Sequence, residues 1–160
     1  MKVAFDKLPL EAKVWMYQTN SFITSEMESR INQFGDEFLM NWESHGIPVE
    51  GSIDVLKGHF IRIAAFTDEP SMCGRAQDAQ VNLVKQLEVD LHIQLMDRLL
   101  LAFQGLEELN FVEMSNVADG INSGSIKAET VFYNNLVGSK EEFVAAWEVS
   151  ASSSWLDRFF

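Results

Sequence analysis

The stretch GSIDVLKGHFIRIAAFTDE, residues 51–69, constrains this chain more than any other. Two short runs rich in β-branched and aromatic residues flank Lys57-Gly58, and a glycine at that point supplies the positive φ of a tight hairpin turn. In the second run Ile61, Ile63 and Ala65 alternate with Phe60, Ala64 and Phe66. Successive strand side chains point to opposite faces, so both faces of this strand are loaded with apolar groups. A sheet with one wet face would alternate apolar with polar residues. Both faces therefore need a cover, supplied by the rest of the chain, a second subunit or a ligand.

KVWMYQT (13–19) reads as another strand, with Val14 and Met16 on one side and Trp15 and Tyr17 on the other. Thr24 or Ser25 then caps a helix, and Ser25 with Glu28 has the spacing of a capping box. Met27, Ile31, Phe34, Phe38 and Trp42 recur at steps of four and three, which makes one helical stripe. Gly46 is its expected stop, with His45 in the last turn, where a cation suits the helix dipole. Gly35 inside the helix costs about 1 kcal/mol relative to alanine, which the stripe outweighs. Val81, Val84, Leu87 and Leu91 predict a second helix starting near Arg75, with Cys73 buried beside it. DRLLLAFQ (97–104) predicts a further strand. The order is βαββαβ, an α+β, ferredoxin-like arrangement with two helices on one face of a four-stranded antiparallel sheet.

The remaining residues predict a strand in ELNFVEM, a short helix ending at Gly124, and a strand around Thr130 to Tyr133. SKEEFVAAWEV then repeats capping-box spacing with Ser139 and Glu142 and puts Phe143 and Trp147 on one helical face. No Pro/Gly/Ser linker interrupts the chain, so the expectation is one domain, 1–160. Its core is 1–104, and a C-terminal α/β extension, 105–160, packs on it. The tail SASSSWLDRFF ends in three aromatics. The expected cover for Trp15, Tyr17, Phe60 and Phe66 is this extension, through Trp147 and Trp155.

The formal net charge of −12 repels phosphate backbones and anionic bilayers, so neither nucleic acid nor membrane is an expected partner. The chain has one cysteine, which excludes an internal disulfide framework and makes the cytoplasm the default location. His45, His59 and His92 are scattered without metal-ligand spacing, so no metal or other cofactor is expected. Glu107-Glu108 and Glu141-Glu142 read as solvated charge, not as a general acid and base, and no catalytic residue is assigned.

The blocks VWMYQTNSFITSEM, F…W…HG, MDRLLLAF, TVFYNNLVGSK and SWLDRFF resemble a group of small bacterial proteins, mostly from the Bacteroidetes, often labelled ABC transporter ATPase. The resemblance spans nearly the whole chain. The activity in that label requires G-x-x-x-x-G-K-[ST], whose amides and lysine hold phosphates, and no such run is present. Members of the group carry G-C-S-I-D where this chain has Gly74, Arg75, Ala76, Gln77 and Asp78. Their cysteine position is thus occupied by Arg75, and Cys73 lies two places earlier. Where they end in an S-W-H pattern, this chain has Leu156.

Candidate chemistry centres on EPSMCGRAQD (69–78). A helix N-terminus presents free amides and positive potential, Gly74 admits close approach, Arg75 can fork onto an anion, and Cys73 would gain thiolate character. The same residues also make an ordinary helix start, with Asp78 in its first turns. Asn134 and Asn135 follow a strand and suit either a turn or the grip of a polar ligand. Two functions follow. One is a non-catalytic interaction or adaptor protein, pairing with another protein or with itself as a homodimer. The other is a small-molecule-binding protein or enzyme with a pocket between sheet and C-terminal segment, using Trp15, Tyr17, Cys73, Gly74, Arg75, Asp78, Asn134 and Trp155. Either way the missing phosphate loop makes a direct prediction. Titration of Mg-ATP into the protein gives no binding heat, whereas micromolar affinity would contradict this reading.

Overall fold

The computed structural model describes all residues, Met1–Phe160. The fold is α+β and comprises two compact units. The first is Met1–Met96 with Gly138–Glu141, and the second is Asp97–Val137 with Glu142–Phe160.

The first unit contains β1 (Lys13–Gln18), α1 (Ser25–Asn41), β2 (Glu43–Ser44), β3 (Ile47–Pro48), β4 (Glu50–Leu56), β5 (Phe60–Phe66) and α2 (Gly74–Leu91). Its main sheet is antiparallel in the order β1-β5-β4. The expected hairpin is present, and Lys57 and Gly58 turn it with φ of 54° and 68°. Register fixes the faces. Trp15 lies opposite Ile63 and Tyr17 opposite Ile61, with Ile53 and Val55 of β4 in the same rows. These side chains pack with Ile31 and Leu39 of α1 and with Leu83, Val84 and Leu87 of α2. Both helices therefore cover one face, as the sequence predicts.

Register also corrects one expectation. Trp15 and Tyr17 lie beneath the helices, not on the far face with Phe60. The far face carries Val14, Met16, Phe60 and Ala64, all buried. It also carries Arg62, which donates to Asp54 directly across the hairpin at 2.8 Å. The Phe5 ring lies 3.5 Å from that guanidinium. A cation stacked on an aromatic face and paired with a carboxylate is tolerated where a bare charge is not. Lys140 holds the same N-terminal segment, donating to the Asp6 and Leu8 carbonyls at 3.0 and 2.6 Å.

The four-stranded ferredoxin-like sheet does not form. Residues 100–104 make a strand, but it pairs in the second unit. The outer edge of β1 is met instead by scattered backbone groups: Val14 donates to Gly138, Gln18 donates to Leu95, and Lys13 bridges Ser139. Hydrophobic periodicity reports a strand and its faces but not its neighbour, and here the neighbour differs.

Helix α1 also ends earlier than expected. Thr24 caps its start by accepting from the Met27 N–H at 3.2 Å. At the other end Trp42 leaves the helix with extended backbone, and its carbonyl accepts from Val49. His45 and Gly46 then form the left-handed turn of the β2–β3 hairpin. His45 is thus a turn residue and not a partner of the helix dipole. Gly35 is explained by close packing: a Cβ there would lie 3.2 Å from Ile53 Cδ1, so its absence lets α1 approach β4.

The second unit contains β6 (Leu100–Gln104), β7 (Leu109–Glu113), α3 (Val117–Ser123), β8 (Val131–Tyr133), α4 (Lys140–Ala146, its first two residues counted with the first unit) and β9 (Glu148–Ser150). Its antiparallel sheet has the order β7-β6-β8-β9. Short 3₁₀ helices at Ala151–Ser153 and Trp155–Phe159 finish the chain. Phe103, Val117, Ile126, Phe132 and Leu156 form its core. Trp155 meets Phe132 edge-on at 5.8 Å. Trp147 stacks on Phe143 at 5.0 Å.

Gly51 offers a direct test of β4 packing. A Cβ there would lie 2.9 Å from both the Ala64 carbonyl oxygen and Leu39 Cδ2. Backbone cannot yield as a flexible side chain can, so Gly51→Ala should destabilise the first unit by about 1–3 kcal/mol. Urea denaturation followed by tryptophan fluorescence measures the loss.

Candidate functional site

The start of α2 holds half of the sequence-derived candidates, Cys73, Gly74, Arg75 and Asp78. Cys73 is the residue that caps α2, its Sγ accepting from the Ala76 N–H at 3.4 Å. Its own N–H donates to Ser44 Oγ at 3.0 Å, and Ser44 donates onward to Glu69 Oε2 at 3.0 Å. His45 Nε2 lies 3.9 Å from the same carboxylate oxygen. Cys73 is half-buried, not sequestered as the helical pattern predicts, because a capping side chain must reach back over the first turn at the surface.

The Cys73 thiol is held below its ordinary pKa, first by the Ser44 hydroxyl and then by the Ala76 N–H, with smaller help from the His45 and Arg75 amides. The Ser44 hydroxyl has one proton, so it serves either the sulfur or Glu69. The ionised carboxylate 3.0 Å away competes for it, which limits the Ser44 contribution. No histidine ring is hydrogen-bonded to the sulfur. The arrangement stabilises a thiolate and caps a helix.

The other candidates disperse. Gly74 faces open space, and Arg75 and Asp78 are exposed beside it. Tyr17 is buried with its hydroxyl donating to Gln80 Oε1 at 2.6 Å, which ties β1 to α2. Trp15 is half-buried with its ring 6.2 Å from Trp42. Asn134 and Trp155 belong to the second unit. There Asn134 Oδ1 accepts from the Leu136 N–H at 3.2 Å, in a turn, and Asn135 accepts from the Trp147 indole at 3.0 Å.

What the sequence does not single out is a groove of about 1010 Å³ between α1 and α2. Phe34, Phe38, Trp42, Ala76, Ala79 and Leu83 give it an apolar floor. At one end the Trp42 indole donates to the Ala76 carbonyl at 2.8 Å, joining the end of α1 to the start of α2. At the other end Arg30 forks onto Asp90, with Nε–Oδ2 at 3.1 Å and a second bond from Nη2. The helices are therefore antiparallel. Along the rim, Glu37 and Glu43 stand on the α1 side and Arg75 and Lys85 on the α2 side. All four are exposed and make no ion pair.

A signal for the groove did exist. Ile31, Gly35 and Leu39 form the buried row of α1. Phe34 and Phe38 form a second apolar row beside it. That stripe is wider than contact with one sheet requires. Ser44 and Glu69 carried no signal, because they meet Cys73 only through the β2–β3 hairpin.

Nowhere do three or more His, Cys, Asp or Glu side chains come together as a metal site requires. No helix is long and apolar enough to cross a membrane. The chain matches no family model, no curated protein and no solved structure.

The depressed thiol predicts that Cys73 alkylation by iodoacetamide has its pH midpoint below that of an ordinary thiol. Removing the Ser44 hydroxyl with Ser44→Ala should move the midpoint upward, towards the ordinary value. A midpoint unchanged by that substitution would mean that the amides alone hold the thiolate.

Proposed function

We propose that this chain is a non-catalytic interaction module of the bacterial cytosol, and that the α1–α2 groove is where it holds another polypeptide. The carrying observation is the groove itself: an apolar, partly aromatic floor between two helices, rimmed by unpaired charges of both signs. Apolar burial supplies the gross driving force, about 25 cal/mol per Å² before the entropic cost of association, and rim charges select the partner. Residues 75 to 90 of α2 border the groove, which at 1.5 Å per residue is about 22 Å of helix. That length matches several turns of a partner helix laid along it, the mode in which an amphipathic helix docks into an apolar cleft.

The likeness to small bacterial proteins and the lone cysteine support the cytosolic setting. The net charge of −12 argues against nucleic acid and anionic membrane as the partner. A small ligand is the less favoured occupant. About 1010 Å³ is at the upper end of small-molecule pockets, roughly 300–1,000 Å³, and the convergent buried polar groups that orient such ligands are missing from the lining.

Ala79 is half-buried on the floor, and an arginine there fills the groove while preserving helix propensity. Dilute protein should bind the hydrophobic dye bis-ANS in the groove, and Ala79→Arg should abolish that binding with the melting temperature maintained. Undiminished dye binding by a folded Ala79→Arg protein would overturn the reading.

A further inference from the structure

The groove has a polarity that identifies its occupant. The α1 side presents Glu37 and Glu43, and the α2 side presents Arg75 and Lys85. A complementary surface must carry the reverse arrangement, basic opposite α1 and acidic opposite α2. We propose that the occupant is the same face of a second copy of this chain, with the twofold axis parallel to the helices. This rests on the groove being an interaction site and names its partner.

The geometry follows from the two ends of the groove. The Trp42–Ala76 hydrogen bond sets residue 43 level with residue 75, and the Arg30–Asp90 pair sets residue 30 level with residue 90. A twofold axis along the helices lays α1 of one protomer over α2 of the other and preserves level. Glu43 then stands over the partner copy's α2 start, where Arg75 is, while Arg30 and Asp90 keep the pair they make within each protomer. Unpaired opposite charges therefore meet at the Glu43–Arg75 end, twice by symmetry. An axis perpendicular to the helices sets α1 over α1, acidic side against acidic side, and loses this match. At the Arg30–Asp90 end, Val89 is 76 % exposed and borders the groove near Phe34. Under the parallel axis each valine points at the other copy's groove at that level, an apolar knob for an apolar cleft.

The size fits a modest dimer. Helices of 17 and 18 residues are about 26 Å long and pack about 10 Å apart, so the two-helix layer projects on the order of 500 Å². Stable interfaces bury roughly 600–1,000 Å² of accessible surface per partner, and accessible area exceeds projected area once side-chain relief is included. Two copies each at −12 repel one another overall, so the dimer relies on the apolar floor and on the local charge match.

Sedimentation equilibrium of the full chain should show a monomer–dimer equilibrium at micromolar to submillimolar concentration. Arg75→Glu and Glu43→Arg are surface changes that leave the fold intact by circular dichroism, and each should weaken the dimer at least about tenfold. The double variant should recover most of the affinity, and Val89→Glu should weaken the dimer by a similar factor. A chain that stays monomeric at all reachable concentrations overturns the proposal. So does a dimer indifferent to the single charge reversals, or one not restored by the double variant. Monomeric protein that still binds bis-ANS and loses it with Ala79→Arg would retain the groove as an interaction site and assign it to a different protein's helix.

Discussion

Strand β5 has water on neither side. Of its seven residues only Phe66 is even half-exposed, and the strand lies between β1 and β4. A central strand with two dry faces needs a layer on each side, and the first unit is arranged around that need. On one side α1 and α2 supply Ile31, Leu39, Leu83 and Leu87. On the other the strand carries one charged residue, Arg62, which is stacked on Phe5 and paired with Asp54. The N-terminal segment is held there by Lys140. Helix α1 comes close because glycines stand at its contacts: Gly35 under Ile53, and Gly51 between Leu39 and the Ala64 carbonyl.

Packing both helices on one sheet face explains why the groove exists. Each helix commits one row of side chains to the sheet. The rows between them face away from the sheet, and there Phe34 and Phe38 stay half-exposed above the buried Leu83. Tyr17 ties β1 to α2 through its bond to Gln80, and Trp42 ties the end of α1 to the start of α2 through its bond to the Ala76 carbonyl. The two helices are thus joined at both ends of the cleft, by the Trp42 bond at one and the Arg30–Asp90 pair at the other.

The elements were largely legible because periodicity and turn chemistry are local. The Lys57-Gly58 turn, the start of α2, the stop at Gly124 and the strand ending at Tyr133 all follow from signals within a few residues. Pairings were not legible. The strand at 100–104 has the right composition for the edge beside β1, but β7 and β8 bind it. Strand hydrogen bonds carry no side-chain signature, so nothing in LLLAFQ states which edge it joins. Face assignment failed for the same reason. Alternation separates Trp15 from Met16, but only the pairing of Trp15 with Ile63 says which of them meets the helices. The site was half legible: the capping Cys73 stands in the sequence, whereas the Ser44–Glu69 support depends on a hairpin that was read as the end of a helix.

The patched edge of β1 bears on how the molecule is made. Val14 and Lys13 find their partners in Gly138 and Ser139, more than a hundred residues later. During synthesis the first sheet therefore emerges with one edge open, and it stays open while the entire segment between is translated. An unpaired edge rich in valine, tryptophan and tyrosine is a template for a neighbouring chain. The Lys13 at its start and the unevenness of its later cover, in which short backbone contacts replace a continuous strand, leave that edge with little to offer once residues 138–141 have arrived. Closure of the first unit thus waits on residues 138–141, and a nascent chain stalled before that point would expose the edge that these residues cover.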